Sequence, residues 1–312
     1  MQTTPRDDKR LNKKTVNKYI FVISLMIYPM TLWLIFYIYV NFNSIVMAFQ
    51  NISLTGVKTW AGFENFRIYF TQLFDDTNLL GISMVNTVKY WTLSVLISLP
   101  IYFTVSYYFF KEMLGHNVFR AFMMLPSVVS GFIIALVFQK FIDIGLPGII
   151  CGNDAEKLLN FPNLLTHPDT SFGMMLFYDL WLGFVNGFIY YPNAMRNIDN
   201  SIIEAAKIDG AGAWEEFWLI IMPLIYPTFT TFFVLSVAGF FSTSGSSIVF
   251  FMYDAPPEVT LIGYYYTKMV MNVPSQVGYP ILAAGGLVMT AVAAPITFLV
   301  KFLMEKYGPT EE

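Results

Sequence analysis

Charge is scarce in this chain. Only 12% of its 312 residues are Asp, Glu, Lys or Arg, while 56% are hydrophobic and 18% aromatic; a soluble domain carries about 25% charged residues. So little charge excludes a water-soluble globular protein and places the chain in a bilayer. A net charge of −3 removes the basic footprint that nucleic acid would require. Cysteine is reduced to Cys151, which cannot form an internal disulfide. Histidine is reduced to His116 and His167, expected on opposite sides of the membrane, so no metal, cofactor or catalytic constellation is expected. No Gly-Lys dipeptide occurs, so the chain lacks a phosphate-binding loop and cannot hydrolyse ATP by that route. The N-terminus is not expected to be a cleaved signal: residues 1–18 are charged, and the apolar run that follows is too long and lacks a small-residue cleavage site.

What is present is a set of long apolar runs. A hydrocarbon core about 30 Å thick needs roughly 20 helical residues, and six segments qualify: 20–40, 84–109, 119–141, 172–194, 229–251 and 280–304. No ten-residue alternating pattern recurs, so the spans are expected to be helices and the fold an all-α membrane protein. With the N-terminus inside, twelve Lys and Arg fall on the cytoplasmic side (Arg6, Lys9, Arg10, Lys13, Lys14, Lys18, Lys111, Arg120, Arg196, Lys207, Lys301, Lys306). Six fall outside or near it, Lys58, Arg67, Lys89, Lys140, Lys157 and Lys268. This asymmetry puts both termini in the cytoplasm. The expected organisation is a basic segment over 1–19, a transmembrane unit over 20–304 and a short cytoplasmic tail over 305–312. Three outer stretches, 41–83, 142–171 and 252–279, are long for helix connectors and are expected to receive an external partner.

Between the fourth and fifth spans lies a polar island, about 196–227, containing Glu204-Ala-Ala-Lys-Ile-Asp-Gly-Ala211. It reads as a helix over 201–209, a corner at Gly210 and a second helix over 213–221, closed by Pro223 and Pro227. Glu204, Ala205 and Ala206 give the first helix a compact side, and Asp209 can accept a hydrogen bond at the turn. Ala211 extends the small surface, and Trp214 and Phe217 supply apolar anchors of the kind that dominate interfaces.

This island resembles the cytoplasmic coupling loop of binding-protein-dependent ABC importer permeases, with the family's Glu-Ala-Ala, Gly and Pro spacing kept and Met222 in place of the usual leucine before Pro223. Trp60-Ala-Gly-Phe-Glu-Asn-Phe66, Leu125-Pro126-Ser127, Gly263-Tyr264-Tyr265 and Glu305-Lys-Tyr-Gly-Pro309 extend the likeness to the carbohydrate permeases of that family, especially those of Gram-positive oligosaccharide importers. The resemblance implies a type I importer fold in the plasma membrane. It also implies two cytoplasmic ATPase subunits that grip the loop, a second permease subunit expected to be a homologous heterodimer partner, and an extracellular solute-binding protein that delivers a sugar.

A sugar path needs neutral polar groups beside aromatic rings. On the fourth span Asp179, Gly183, Asn186 and Tyr190 share one helical stripe, and on the fifth Ser236, Gly239, Thr243 and Ser246 do the same. A carboxylate inside a span costs several kcal/mol and marks a functional candidate, although small and hydroxyl residues also serve as helix-packing glue. Two alternatives stay open: the same machine carrying an amino acid, glycerol phosphate or peptide, and a transporter that works without an ATPase.

Overall fold

The computed structural model describes residues 13–152, 154–252, 254–272 and 276–309, with the side chains of 13–17, 127, 185–187 and 276 outside that description. The described residues are mostly helical, and six helices are long and apolar enough to cross a membrane: Lys18–Ala48, Leu79–Phe110, Gly131–Cys151, Pro168–Arg196, Ala213–Ala238 and Tyr279–Tyr307. In chain order they are the first to sixth spans. Chain connectivity sorts their ends into two groups. The hairpin end carries the 197–212 connection, and the loop end carries the three long connections.

Four spans lie close to their sequence-expected positions, and two do not. The expected third span, 119–141, straddles a break. A helix His116–Val128 ends at Val129, whose backbone is extended (ψ 144°), and a new helix starts at Gly131. The sequence explains the break: Pro126 removes a ladder donor, Val128 and Val129 are β-branched, and Ser130 and Gly131 are weak helix formers. Lys140, expected near the outer end of its span, consequently lies well inside the helix that runs on to Cys151.

The expected fifth span, 229–251, is displaced in the other direction. Its helix starts at Ala213 and ends at Ala238, so the second hairpin helix and the fifth span are one element. Pro223 and Pro227 do not close the hairpin as expected. A π-turn, Glu216–Ile221, widens the ladder just before Pro223, which then occupies the first turn of the following α-segment, where its missing N–H is tolerated.

The long connections are structured. The first contains an antiparallel hairpin, β1 (Gln50–Ile52) and β2 (Lys58–Trp60), a small departure from an all-α fold, and then the helix Glu64–Leu73. Asn65, 1% exposed, donates its amide to the carbonyls of Ala48 (2.9 Å) and Gln50 (2.8 Å), which ties this helix to the end of the first span. The last connection contains the helix Ile262–Asn272. There Tyr266 donates to the hydroxyl of Tyr69 (3.0 Å), and burial pushes the Tyr69 phenol up to about 12, so the pair stays uncharged. Gly285 of the sixth span faces both rings, leaving no room for a methyl group.

Candidate functional site

The second, fourth and fifth spans enclose a cavity of about 410 Å³. It is lined by Tyr90, Trp91, Ser94, Ser98 and Tyr102 of the second span, Asp179 of the fourth, and Phe232, Phe233 and Ser236 of the fifth, with Thr243 just beyond. Of the two stripes singled out in the sequence, Asp179 of the fourth-span stripe and Ser236, Gly239 and Thr243 of the fifth-span stripe line this space, whereas Gly183 and Ser246 do not. The second stripe is not the helical face expected, because the helix ends at Ala238, before Gly239, Thr243 and Ser246. Tyr190, half exposed at 45%, stands beside it with its ring 4.3 Å from that of Phe232. The Asn186 side chain lies outside the described residues.

The shape of this cavity depends on where the fifth span stops. From Gly239 onward the sequence Gly-Phe-Phe-Ser-Thr-Ser-Gly-Ser-Ser offers side chains that compete for the backbone. The hydroxyls of Ser242 (2.9 Å) and Thr243 (3.2 Å) both donate to the Gly239 carbonyl. The chain then turns through Gly245, at φ +56°, before the short helix Ser247–Phe251. Backbone freed inside a membrane protein needs partners, and they are found: the Gly263 N–H donates to the Thr243 carbonyl (2.9 Å), and the Ser246 N–H donates to Oδ2 of Asp179 (3.2 Å).

Asp179 is thus a junction between elements, the helix-packing role that stood beside the path reading of its stripe. Its Oδ2 also accepts from the Tyr90 hydroxyl (2.9 Å), so one carboxylate joins the second span, the fourth span and the break after the fifth. Ser246 contributes its N–H to this junction and is buried, whereas Ser236 accepts from the Trp91 indole N–H through both its hydroxyl (3.0 Å) and its carbonyl (3.2 Å). Tyr102 donates to the Gly183 carbonyl (3.0 Å), which explains the gap in the fourth-span stripe. The result is a wall of indole, phenol and hydroxyl groups, with Tyr90, Trp91 and Ser236 fixed by hydrogen bonds.

The second-span lining was not anticipated from the sequence. Its signal was legible: Tyr90, Ser94, Ser98 and Tyr102 recur every four residues inside an apolar helix, which puts all four on one face.

The 197–212 connection is a rigid helical hairpin. Asp199 caps the helix Asn200–Ile208 by accepting from the Ser201 N–H (2.9 Å), a bond that holds the Asp199 carboxyl below its usual range. The helix stops where Gly210 takes φ +83°; Ala211 N–H donates to Ala206 O (3.0 Å) and Gly210 N–H to Lys207 O (3.2 Å), the paired bonds of a Schellman turn. Glu215 accepts from the Gly212 N–H (2.9 Å) and starts the next helix.

The hairpin's two faces differ from the sequence expectation in part. Glu204, Ala205, Asp209 and Gly210 are exposed, as is Trp214 at 74%, but Ala206 and Phe217 are buried. Phe217, expected as an anchor for a partner, instead packs on Phe103 and Tyr107 of the second span and shares a core with Tyr191, Met195, Ile203 and Ile221. Its helical neighbours decide this: the face that carries Phe217 and Ile221 turns inward, leaving Trp214, Trp218 and Ile208 on the free surface.

A six-span helical bundle with a polar, aromatic cavity and a stiff hairpin between its fourth and fifth spans defines a multi-pass membrane protein of the transporter class. The chain belongs to the family described as "binding-protein-dependent transport system inner membrane component", whose sequence profile matches residues 94–309 and so takes in the hairpin and most of the cavity lining. It is therefore a permease component and not itself an enzyme. It is similar to the arabinooligosaccharides transport system permease protein AraP of Bacillus subtilis (strain 168), 25% identical over 273 residues that cover 86% of this chain and 83% of the relative. It is also similar to the multiple sugar-binding transport system permease protein MsmF of Streptococcus mutans (24% identical; 72% of this chain, 75% of the relative). Among solved structures, a chain of a bacterial ABC transporter involved in the import of the acidic polysaccharide alginate shares the fold. The TM-score is 0.74 at 18% identity, covering 93% of this chain and 97% of that one.

Proposed function

We propose that this chain is the membrane-spanning permease subunit of an ATP-driven importer for an oligosaccharide. The observation that carries the reading is the cavity, where Trp91, Tyr90 and Tyr102 offer flat faces for sugar C–H surfaces and Ser94, Ser98, Ser236 and Thr243 offer hydroxyl partners. The sugar cargoes named for AraP and MsmF support it. The structured loop end receives a solute-binding protein. Support comes from the bacterial alginate ABC transporter, which has been solved in complex with an alginate pentasaccharide-bound periplasmic protein. A second permease subunit completes the path.

The hairpin end is cytoplasmic in this reading, by the excess of Lys and Arg there. Glu204, Ala205, Asp209, Gly210, Ala211 and the exposed Trp214 form the surface that a separate ATPase subunit holds, while Pro223 fixes the helix behind it. ATP-driven closure of two such subunits moves the hairpin, and the cavity changes the side to which it opens.

Uptake of radiolabelled arabino-oligosaccharides and malto-oligosaccharides by cells expressing the complete complex tests the reading. Trp91→Ala and Ser236→Ala are expected to lower uptake at least tenfold with the complex still assembled. Wild-type uptake in both variants removes this cavity from the sugar path.

A further inference from the structure

Lys111 and Glu216 form an ion pair that differs from every other ion pair among the described residues. The others, Arg67–Glu64, Lys157–Asp154, His167–Asp169 and Lys301–Glu305, are solvent-exposed and lie within four positions of each other in sequence. The Lys111 ammonium instead meets the Glu216 carboxylate across two spans, with side chains only 20% and 4% exposed. Exposed pairs contribute little and shift easily, whereas a buried carboxylate deprived of its cation is strongly disfavoured.

The position of this pair gives it a task. Lys111 is the C-cap of the second span, where the helix dipole favours a cation, and its ammonium also lies 5.6 Å from the Tyr107 ring centre and 5.7 Å from that of Phe110. Glu216 is the first residue of the π-turn Glu216–Ile221. That turn interrupts the regular ladder on the covalent route from the hairpin into the fifth span. Single π-turns inside α-helices are rare and frequent at functional sites. The ion pair sits at the first residue of the turn and connects the hairpin side of it to a different helix. Tyr107 reinforces it by donating to the Ala213 carbonyl (3.3 Å).

The second span runs as one helix from Leu79 to Phe110 and carries Tyr90, Trp91, Ser94, Ser98 and Tyr102 to the cavity. From Lys111 to Ser98 is about 20 Å at 1.5 Å per residue. We infer that the Lys111–Glu216 pair is the joint by which the hairpin moves the second span, so that the aromatic wall of the cavity is displaced without passing through the π-turn. Lys111 and Glu216 are positioning residues. The inference rests on the importer reading for its source of motion. Apolar contact between the same helices would preserve buried area but not register, because hydrophobic attraction has no direction.

The test uses the full complex purified from its native membrane, with Cys151→Ser and Ser98→Cys in this chain, and the cationic thiol reagent MTSET as probe. The rate of thiol modification at position 98 is measured without nucleotide and after trapping with ATP and vanadate. With the pair intact, and with Lys111→Arg, trapping is expected to change the rate at least tenfold. With Lys111→Met or Glu216→Gln the change is expected to shrink to less than threefold. Should either single variant fail to assemble, the double variant Lys111→Met/Glu216→Leu leaves no unpaired charge and carries the same expectation. A full tenfold response in assembled Lys111→Met and Glu216→Gln, or in that double variant, overturns the joint and leaves the importer reading standing. A complex with the pair intact that contains no ATPase, or whose introduced thiol ignores trapping, overturns the reading on which the joint depends.

Discussion

Gly245 shows how one residue can be fixed by its surroundings. It combines φ +56° with a position where an added Cβ would lie 3.0 Å from Oδ2 of Asp179 and 3.1 Å from Leu261. A left-handed backbone alone costs a non-glycine residue about 1–2 kcal/mol, and here the new methyl also presses on the carboxylate that joins three elements. Gly245→Ala is expected to lower the thermal unfolding midpoint of the detergent-purified protein; an unchanged midpoint would mean the turn relaxes without cost. Asp199 supports a different kind of prediction. Its folded pKa is lowered by the bond from Ser201, so its cap is fully present above the unfolded carboxylate range and is lost as pH falls through the lowered folded value. Asn caps as well without titrating. Amide exchange over residues 201–203 should accelerate relative to Asp199→Asn as the solution is acidified, and a constant ratio at every pH would exclude the carboxylate as the cap.

Among elements, the irregular segments are the informative ones. The helix Ile262–Asn272 approaches the break after the fifth span so closely that a Cβ at Gly263 would fall on the carbonyls of Ser242 and Thr243. Gly263→Ala is expected to push the two apart and cost about 1–3 kcal/mol, typical of overpacking, read as a lower midpoint in thermal unfolding. Six apolar runs and the hairpin with its glycine corner were legible in the sequence, because hydrophobic length and helical period are local properties. The supposed helical stripe over Ser236, Gly239, Thr243 and Ser246 was not real, since the helix ends at Ala238. The breaks at Val129 and Gly239 were not recognised, since apolar residues continue through both and hydropathy does not register a change of direction. The inward turn of Phe217 was hidden for a related reason: a large apolar residue beside a polar island suits a partner or a core equally well, and only the packing of Phe103 and Tyr107 decides between them. The π-turn before Pro223 was likewise invisible, as two prolines that follow a helical stretch normally signal its end.

Over the whole molecule, the proposed orientation in the membrane rests on the excess of Lys and Arg at the hairpin end. If the hairpin end faces the cytoplasm, a cysteine introduced by Asp209→Cys in a Cys151→Ser background is shielded from a membrane-impermeant maleimide in intact cells, and one introduced by Trp60→Cys at an exposed position is labelled. The reverse pattern would invert the topology and remove the hairpin from any cytoplasmic ATPase.

Along the first span, none of the residues in the most apolar stretch is buried, and among the described residues its attachment is at its last turns, through Asn65 and the sixth helix. It projects from the bundle, held near one end. Its greasy surface is left to hydrocarbon, and the clustered cores of the described residues draw nothing from its apolar stretch.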